Sequence, residues 1–146
     1  MNDPLPYGTK ILQSMVNGEI PKPTMAETMN AALVKVQPGF ACFECTASDA
    51  HLNPMQGVHG GFAATMLDSA TGCAVHSLIE ENESYATVEL SVKMMRPVPI
   101  NKKLYCEGRI LNRSKSLGVS EAKLVDESGK LYAHATCTCM IIKMNS

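Results

Sequence analysis

Residues 57–79 read GVHGGFAATMLDSATGCAVHSLI, and this stretch predicts the element around which the rest of the chain folds. It contains no proline, and Asp68 is the only Asp, Glu, Lys or Arg within it. Small residues crowd its beginning, where Gly60 and Gly61 lie side by side. The pattern predicts a long buried helix that opens on this glycine pair.

Asp68 is a carboxylate in apolar surroundings, which costs free energy unless the group gains a partner. The expected outcomes are a hydrogen-bonded structural role or a role in proton transfer. The start of the helix favours a role in proton transfer, because its free backbone N–H groups and the positive end of its dipole stabilise developing negative charge. Asn53, shortly before the glycine pair, adds a side-chain amide donor. A buried acid beside such donors indicates acyl transfer or hydrolysis.

Composition limits the class of protein. The chain has 146 residues, 45% of them hydrophobic and 18% charged, which is typical of one folded, soluble domain. Its net charge of -1 gives no general indication of nucleic-acid binding. No basic segment precedes an apolar run at the N-terminus, so we expect no secretion signal and a cytoplasmic location. The apolar run from residue 60 to 79 carries Asp68 and His76, so we expect no membrane span.

The six cysteines are expected to remain reduced, because no export signal is expected. Cys42 and Cys45 form a CxxC pattern and Cys137 and Cys139 a CxC pattern, so a metal site of four thiolates has to be weighed. Cys42 and Cys45 lie in a strand-like run, where their odd spacing points them to opposite faces. We therefore expect small core residues and no metal.

The segment 93–115 is locally basic, with seven Lys and Arg against the single acid Glu107, a local charge of +6 (seven minus one). Two interpretations stay open: solvated strand edges, or a site for an anionic, phosphorylated ligand. The basic residues are Lys93, Arg96, Lys102, Lys103, Arg109, Arg113 and Lys115.

The remaining sequence predicts an antiparallel sheet. Residues 85–96 alternate strictly, with apolar residues at the even positions from Ala86 to Met94 and Thr87 on the opposite face. Together the predicted helix and strands give an α+β fold, in which one long helix packs against an antiparallel sheet of about six strands. The other strands are predicted at 33–36 and 40–46, which flank a turn at Pro38-Gly39, and at 104–111, 119–125 and 131–142.

Residues 1–31 are predicted to form an N-terminal arm with two short helices. Four prolines punctuate this segment and separate the helices from each other and from the first strand. The second helix is expected to start with Thr24 as its cap and with Glu27 at the capping-box position.

The run Asn53-Pro-Met-Gln-Gly-Val-His59-Gly-Gly61, followed by Asp68, resembles the hotdog-fold acyl-CoA thioesterases of the phenylacetate-degradation (PaaI-like) type. The likeness extends from the turn at Ile20-Pro21 to the last strand. It implies that residues 32–146 form the hotdog thioesterase domain, with residues 1–31 as its helical arm, in a single domain overall. It also implies homodimers whose protomers pair edge to edge, and assembly into homotetramers.

By this resemblance Asp68 is the general base or the nucleophile, and the Gly60 N–H polarises the thioester carbonyl with help from Asn53. Thr87 matches a residue that positions water, and His59 belongs to the motif in a structural or a catalytic role. Coenzyme A is part of the substrate, and no cofactor is implied. Its phosphates are expected along the basic segment. The candidate substrate-binding residues are Gly61, Arg96, Arg113, Lys115 and Ser116.

Gly60 and Asp68 are eight residues apart, which corresponds to about 12 Å along one helix. A carbonyl oxygen and the water that attacks its carbon need both groups within about 3 Å of neighbouring atoms. We therefore expect the helix start of one subunit to face Asp68 and Thr87 of its partner, with two equivalent sites across a two-fold axis.

The expected function is hydrolysis of an acyl-CoA of the medium-chain or aryl-acetyl type, with neither nucleic acid nor a membrane as partner. A non-catalytic acyl-CoA binding or sensing protein of the same fold is the alternative. Ten methionines suggest an adaptable apolar pocket for the acyl group, although methionine is also common core filling.

Overall fold

The computed structural model describes residues 3–145, in which a six-stranded antiparallel sheet packs around one long helix. The helices are α1 (Tyr7–Val16), α2 (Thr24–Thr28) and α3 (Gly60–His76), and a 3-10 turn spans Asp49–His51. The strands are β1 (Ala31–Gln37), β2 (Phe40–Thr46), β3 (Glu83–Met94), β4 (Lys103–Arg113), β5 (Leu117–Val125) and β6 (Leu131–Lys143). Across the sheet they lie in the order β1-β2-β4-β5-β6-β3. The α+β prediction is confirmed.

α3 is the predicted central helix, and it begins at the glycine pair as the sequence indicates. Its buried side chains include Phe62, Met66, Leu67 and Val75. It packs against β2, β3, β4, β5 and β6, so the core lies between the helix and the inner face of the sheet. No helix within residues 3–145 is long and apolar enough to cross a membrane.

α3 approaches β4 and β5 closely enough to exclude side chains at the point of contact. A Cβ atom on Gly108 of β4 would collide with the Ala70 carbonyl of α3. Beside it, the Ser120 hydroxyl of β5 donates a hydrogen bond of 3.0 Å to the Thr71 carbonyl. The residue type at position 108 therefore sets how deeply the helix sits in the sheet.

A β-bulge interrupts β3, which is the edge strand beside β6. Thr87 pairs with Cys139 and Glu89 with Thr138, so Val88 is an extra residue in β3. One extra residue shifts the alternation of side chains between the two faces by one position. The predicted strict alternation along this strand is therefore wrong at the bulge.

The bulge decides which way Thr87 faces. Before it, the odd-numbered Tyr85 and Thr87 contact α3, and after it the even-numbered Leu90 and Val92 pack on the core. The sequence predicted Thr87 on the face opposite the apolar residues, which is wrong. The single strand β3 thus supplies both a hydroxyl for α3 and apolar side chains for the core.

α1 belongs to the same core as the sheet. Leu12 is buried in that core, and the Thr9 hydroxyl donates a hydrogen bond of 2.6 Å to the Ser77 carbonyl just after α3. The division predicted after residue 31 stays a prediction, but these contacts fasten the N-terminal arm to the main body.

α2 follows Pro23, which is its N-cap, and no side chain caps the helix. The predicted capping box of Thr24 and Glu27 is therefore wrong, because Thr24 is the first helical residue rather than the residue before it. A reciprocal cap of this kind forms instead between Ser48 and His51 in the 3-10 turn.

We expect Gly108→Ala to lower the free energy of unfolding by about 1–3 kcal/mol or more, because its methyl group meets backbone that cannot move aside cheaply. Chemical denaturation measures the change. The matched control is Gly57→Ala, whose Cβ would meet the Asn53 amide at an ordinary 3.6 Å. Equal stability of the two variants would contradict the close contact between α3 and β4.

Candidate active site

Asp68 lies on the face of α3 that the sheet leaves uncovered, and its side chain is exposed in the single chain. The sequence predicted a buried acid, and for the single chain this is wrong. The reason is the path of the sheet. It lies along the other sides of α3, and a gap remains between its β1–β2 end and β3 where Asp68 points outward.

A cavity of about 250 Å³ opens beside Asp68, and we name it the acid cavity. It lies between α2, α3, β3 and the β1–β2 end of the sheet. Asp68 is the only Asp, Glu, Lys, Arg or His among the residues that line it, and most of the others are apolar. The side chains that define it are Met25, Met29, Phe43, Met66, Tyr85 and Thr87, together with Asp68. The carboxylate therefore faces a recess that an apolar group can enter.

Thr87 holds the Asp68 carboxylate from the neighbouring strand. Its hydroxyl donates a hydrogen bond of 3.1 Å to Asp68 Oδ1. The sulfur atoms of Cys139 and Cys137 lie 3.8 Å and 4.0 Å from the same hydroxyl oxygen. Since a hydroxyl has one proton and here gives it to Asp68, the two thiols meet the acceptor side of Thr87. These contacts leave Asp68 Oδ2 free to act on water.

Cys73 is the one thiol that lines the acid cavity, so it has to be considered as a nucleophile. Burial raises the pKa of Cys73 to about 12, and the nearby Asp68 charge adds to the shift. At neutral pH this thiol stays protonated, and a protonated thiol is a poor nucleophile. Within the acid cavity, the carboxylate remains the group able to activate water or attack a carbonyl.

The start of α3 carries a free backbone donor. His59 is the N-cap, and its Nδ1 accepts a hydrogen bond of 2.7 Å from the Gly61 N–H. The Gly60 N–H has no acceptor within residues 3–145. Of the two predicted glycines, Gly60 therefore offers its N–H to a ligand, whereas the Gly61 N–H is already used inside the chain.

A second cavity, of about 340 Å³, opens at this point, and we name it the helix-start cavity. His59 and Gly60 line it from α3, and residues 94–98 line it from the end of β3. Arg96 is its only cationic side chain, and one of its guanidinium nitrogens donates a hydrogen bond of 2.6 Å to the Leu131 carbonyl. Asp68 and Thr87 line the acid cavity and not this one. The acid and the free N–H of one chain therefore open into different cavities.

Asn53 shapes the loop that leads into α3. Its Oδ1 accepts hydrogen bonds from the N–H groups of Met55 and Gly57, at 2.9 Å and 3.1 Å. This turn is closed further by the Asn53 N–H, which donates to the Gly57 carbonyl at 2.7 Å. Because the oxygen is occupied, the Nδ2 amino group is the end of the side chain left for a ligand.

Three of the seven basic residues of the segment form ion pairs within the chain. Lys102 lies 3.0 Å from Asp126, and Lys103 lies 3.7 Å from Glu44. The local charge of +6 counted along the sequence is thus reduced in the fold.

Arg113 is held most firmly. Its guanidinium donates to Glu83 at 2.6 Å and to the Ser114 carbonyl. Lys115 and Ser116 lie exposed in the turn between β4 and β5, and neither they nor Arg113 line the two cavities. Arg96 is the one predicted phosphate ligand that lies beside a cavity.

The cysteines do not converge as metal ligands. Cys45 is buried in the core cluster, whereas Cys42 lies outside it, in agreement with the opposite faces expected from their spacing. All six are free thiols. Across residues 3–145, no group of three or more His, Cys, Asp or Glu side chains is arranged to hold a metal ion.

Sequence reasoning missed the contribution of α2 to the acid cavity. Met25 and Met29 carry no motif, and only their position beside α3 in the fold gives them a role. The methionine content was the one signal, and it did not indicate which methionines line a pocket.

A model of the thioesterase superfamily matches residues 55–133, a span that includes Gly60, Asp68 and Thr87. The chain belongs to the thioesterase superfamily. This thioesterase is 27% identical to acyl-coenzyme A thioesterase 13 from Mus musculus over 107 residues. The aligned region covers 73% of this chain and 76% of that protein.

Solved structures place the thioesterase in the same family. A putative thioesterase from Ralstonia eutropha, related to phenylacetic acid degradation, superposes with a TM-score of 0.80 at 32% identity, over 88% of this chain and 98% of that one. The PaaI protein of Escherichia coli shares the fold with a TM-score of 0.80 at 18% identity, over 94% and 99% of the two chains. The resemblance read from the sequence and the hotdog fold are confirmed. The protein is a thioester hydrolase.

We expect Thr87→Val to lower kcat about 10- to 100-fold, because it removes a hydrogen bond to a carboxylate without changing the size of the side chain. Thr87→Ser keeps the hydroxyl and is expected to retain most of the activity. Steady-state assays of thiol release compare the two variants with the unmodified enzyme. Equal losses in both would contradict a role for the hydroxyl.

Proposed function

We propose that this thioesterase hydrolyses an acyl-CoA, of the medium-chain or aryl-acetyl type, to the free acid and coenzyme A. The observation that carries the proposal is the Asp68 carboxylate, held by the Thr87 hydroxyl at the edge of an apolar cavity. The similarity to acyl-coenzyme A thioesterase 13 supports coenzyme A as the thiol.

The proposed reaction needs an activated oxygen nucleophile and a polarised carbonyl. Asp68 takes a proton from water, which adds to the thioester carbon; alternatively Asp68 attacks that carbon itself, and water then resolves the anhydride. In both routes the C–S bond breaks, and the coenzyme A thiolate gains a proton. The Gly60 N–H and the Asn53 amino group donate hydrogen bonds to the carbonyl oxygen as it becomes negative.

One chain does not bring these groups together, which supports sites shared between two subunits. Gly60 and Asp68 open into different cavities and lie about 12 Å apart along α3. β3 is an edge strand, and Val88 and Met94 on it are more than half exposed, as expected where a second copy adds its own strand. A homodimer in which each helix start meets the partner's acid completes two equivalent sites. Assembly of such dimers into a homotetramer is the further expectation from the resemblance.

Coenzyme A is proposed to enter past the helix-start cavity, where Arg96 lies beside Gly60. Within residues 3–145 the Arg96 side chain forms no salt bridge, and its guanidinium donates to a backbone carbonyl, so binding a phosphate breaks no ion pair. Lys115 and Ser116 are exposed, so they are further candidates for binding a phosphate. Arg113 would have to break its pair with Glu83 first, which makes it the costliest of the four to recruit.

We expect Asp68→Asn to lower kcat about 10²- to 10⁴-fold, because the amide cannot take a proton from water or attack the carbonyl. The exposed side chain should leave the fold intact. Thiol release measures the loss, and calorimetry with free coenzyme A shows whether the product still binds. A non-catalytic acyl-CoA binding protein predicts no activity in either form, so activity of the unmodified chain excludes it.

The Gly60 N–H can be removed selectively by Gly60→Pro. Gly60 is the first helical residue, where proline is tolerated, and His59 already has the extended backbone, with ψ 135°, that the residue before proline adopts. Gly60→Ala is the matched control, since both variants place a Cβ against Met94 but only proline lacks the donor. We expect kcat of the proline variant to fall about 10²- to 10³-fold below that of the alanine variant.

Mixing the inactive chains tests whether sites are shared. In a heterodimer of an Asp68→Asn chain and a Gly60→Pro chain, one site combines both defects and the other has neither. An equal mixture that exchanges subunits freely should therefore recover about one quarter of the unmodified activity. Recovery of none, with heterodimers shown by native mass spectrometry, would mean that each chain builds its own site.

A further inference from the structure

We propose that the acid cavity holds the acyl chain of the substrate and that Met25 of α2 and Met29 at its C-cap limit the length of that chain. This inference rests on the proposed function, because it gives a place to the acyl part of the same thioester. α2 lies outside residues 55–133, the span that the family model matches. The wall is therefore built by a segment of this chain that the family match does not describe.

The lining of the acid cavity suits an uncharged acyl chain. Phe43 and Met66 are buried and form its inner wall, and Met29 adds a third large apolar side chain. The Tyr85 hydroxyl, 3.3 Å from His76 Nδ1, already has a partner. Asp68 is the only charged group, so a second carboxylate on the acyl group would be repelled while an alkyl chain would be buried favourably.

The volume of the cavity indicates a medium chain. A methylene group fills about as much space as a water molecule in the liquid, roughly 30 Å³. The 250 Å³ of the acid cavity therefore accommodates about eight carbon atoms. A longer chain has to displace a wall, and the inner wall belongs to the packed core.

α2 carries the outer wall of the acid cavity, and the side chains of this wall can move. Met25 lies in α2 and Met29 is its C-cap, and both line the acid cavity. Met25 is 51% exposed, whereas Met29 is buried. No residue from Thr24 to Thr28 is buried, so the apolar anchor of α2 is its C-cap Met29, which packs in the core. The end of α2 is also fixed by hydrogen bonds, among them His51 Nε2 to the Thr28 carbonyl at 2.8 Å. Flexible thioether side chains on a fixed short helix make an adjustable limit.

The test is the acyl-length profile of the full-length enzyme with straight-chain acyl-CoA substrates of four to sixteen carbons. We expect kcat/KM to rise about fourfold per methylene up to about eight carbons and then to fall. Met25→Ala with Met29→Ala should extend the profile, and Ala26→Leu, which fills the cavity from the same helix, should shorten it. Met144→Ala is the control, because Met144 is 58% exposed beyond β6 and lines neither cavity.

The deciding quantity is the ratio of kcat/KM for dodecanoyl-CoA to that for hexanoyl-CoA, which does not depend on the fraction of active enzyme. We expect the double alanine variant to raise this ratio at least about tenfold, Ala26→Leu to lower it, and Met144→Ala to leave it unchanged. An unchanged ratio in both α2 variants would overturn the proposal, and so would equal activity across all lengths in the unmodified enzyme.

If the protein does not hydrolyse acyl-CoA at all, the outcome differs from failure of the length limit. In that case the unmodified chain releases no thiol from any acyl-CoA. The length limit is then still measurable, by calorimetry of the same acyl-CoA series on the same α2 variants. A limit near eight carbons that the α2 variants shift supports the acyl cavity without catalysis, and binding that ignores chain length overturns it.

Discussion

The rotation of α3 about its own axis is the constraint on which the site depends. Ala70 meets β4 at Gly108, where there is no room for a side chain, and the Ser120 hydroxyl donates a hydrogen bond to the carbonyl of the next residue, Thr71. Residues two apart on an α-helix point about 160° away from each other. Asp68 must therefore face away from the middle of the sheet, towards the gap that the sheet leaves open. The position of the acid follows from packing on the opposite side of the helix.

The bulge in β3 is the second feature on which the candidate site depends. It turns Thr87 towards Asp68 and still lets Leu90 and Val92 pack on the core. A regular strand would satisfy one of these demands and lose the other, because its faces alternate without interruption. The chain thereby brings a hydroxyl to a carboxylate without giving up core packing along its edge strand.

Much of the fold was predictable from the sequence because its signals are local. The glycine pair marks the start of α3, Pro38-Gly39 marks a hairpin, and the alternation of β6 separates its buried face from its outer one. The site was predictable only as a set of residues. The motif from Asn53 to Asp68 predicted an acid and its donors, but the exposure of Asp68 depends on where the sheet ends, which no local pattern encodes.

The other features that the sequence did not predict also depend on contacts between residues that are distant along the chain. The bulge at Val88 has no marker in a run that alternates between apolar and polar residues. The partners of Arg113 and Lys102 lie 30 and 24 residues away along the chain. Counting charges along a segment overestimates its field when its ion pairs come from distant strands. The role of Met25 likewise depends on how α2 is placed against α3, which is a tertiary feature.

The cap at the start of α3 also determines the chemistry open to His59. Its Nδ1 lone pair is occupied by the Gly61 N–H, so the neutral imidazole must carry its proton on Nε2. In that tautomer neither ring nitrogen has a lone pair to spare. While it caps the helix, His59 can present a hydrogen-bond donor, but not an acceptor, to a bound molecule.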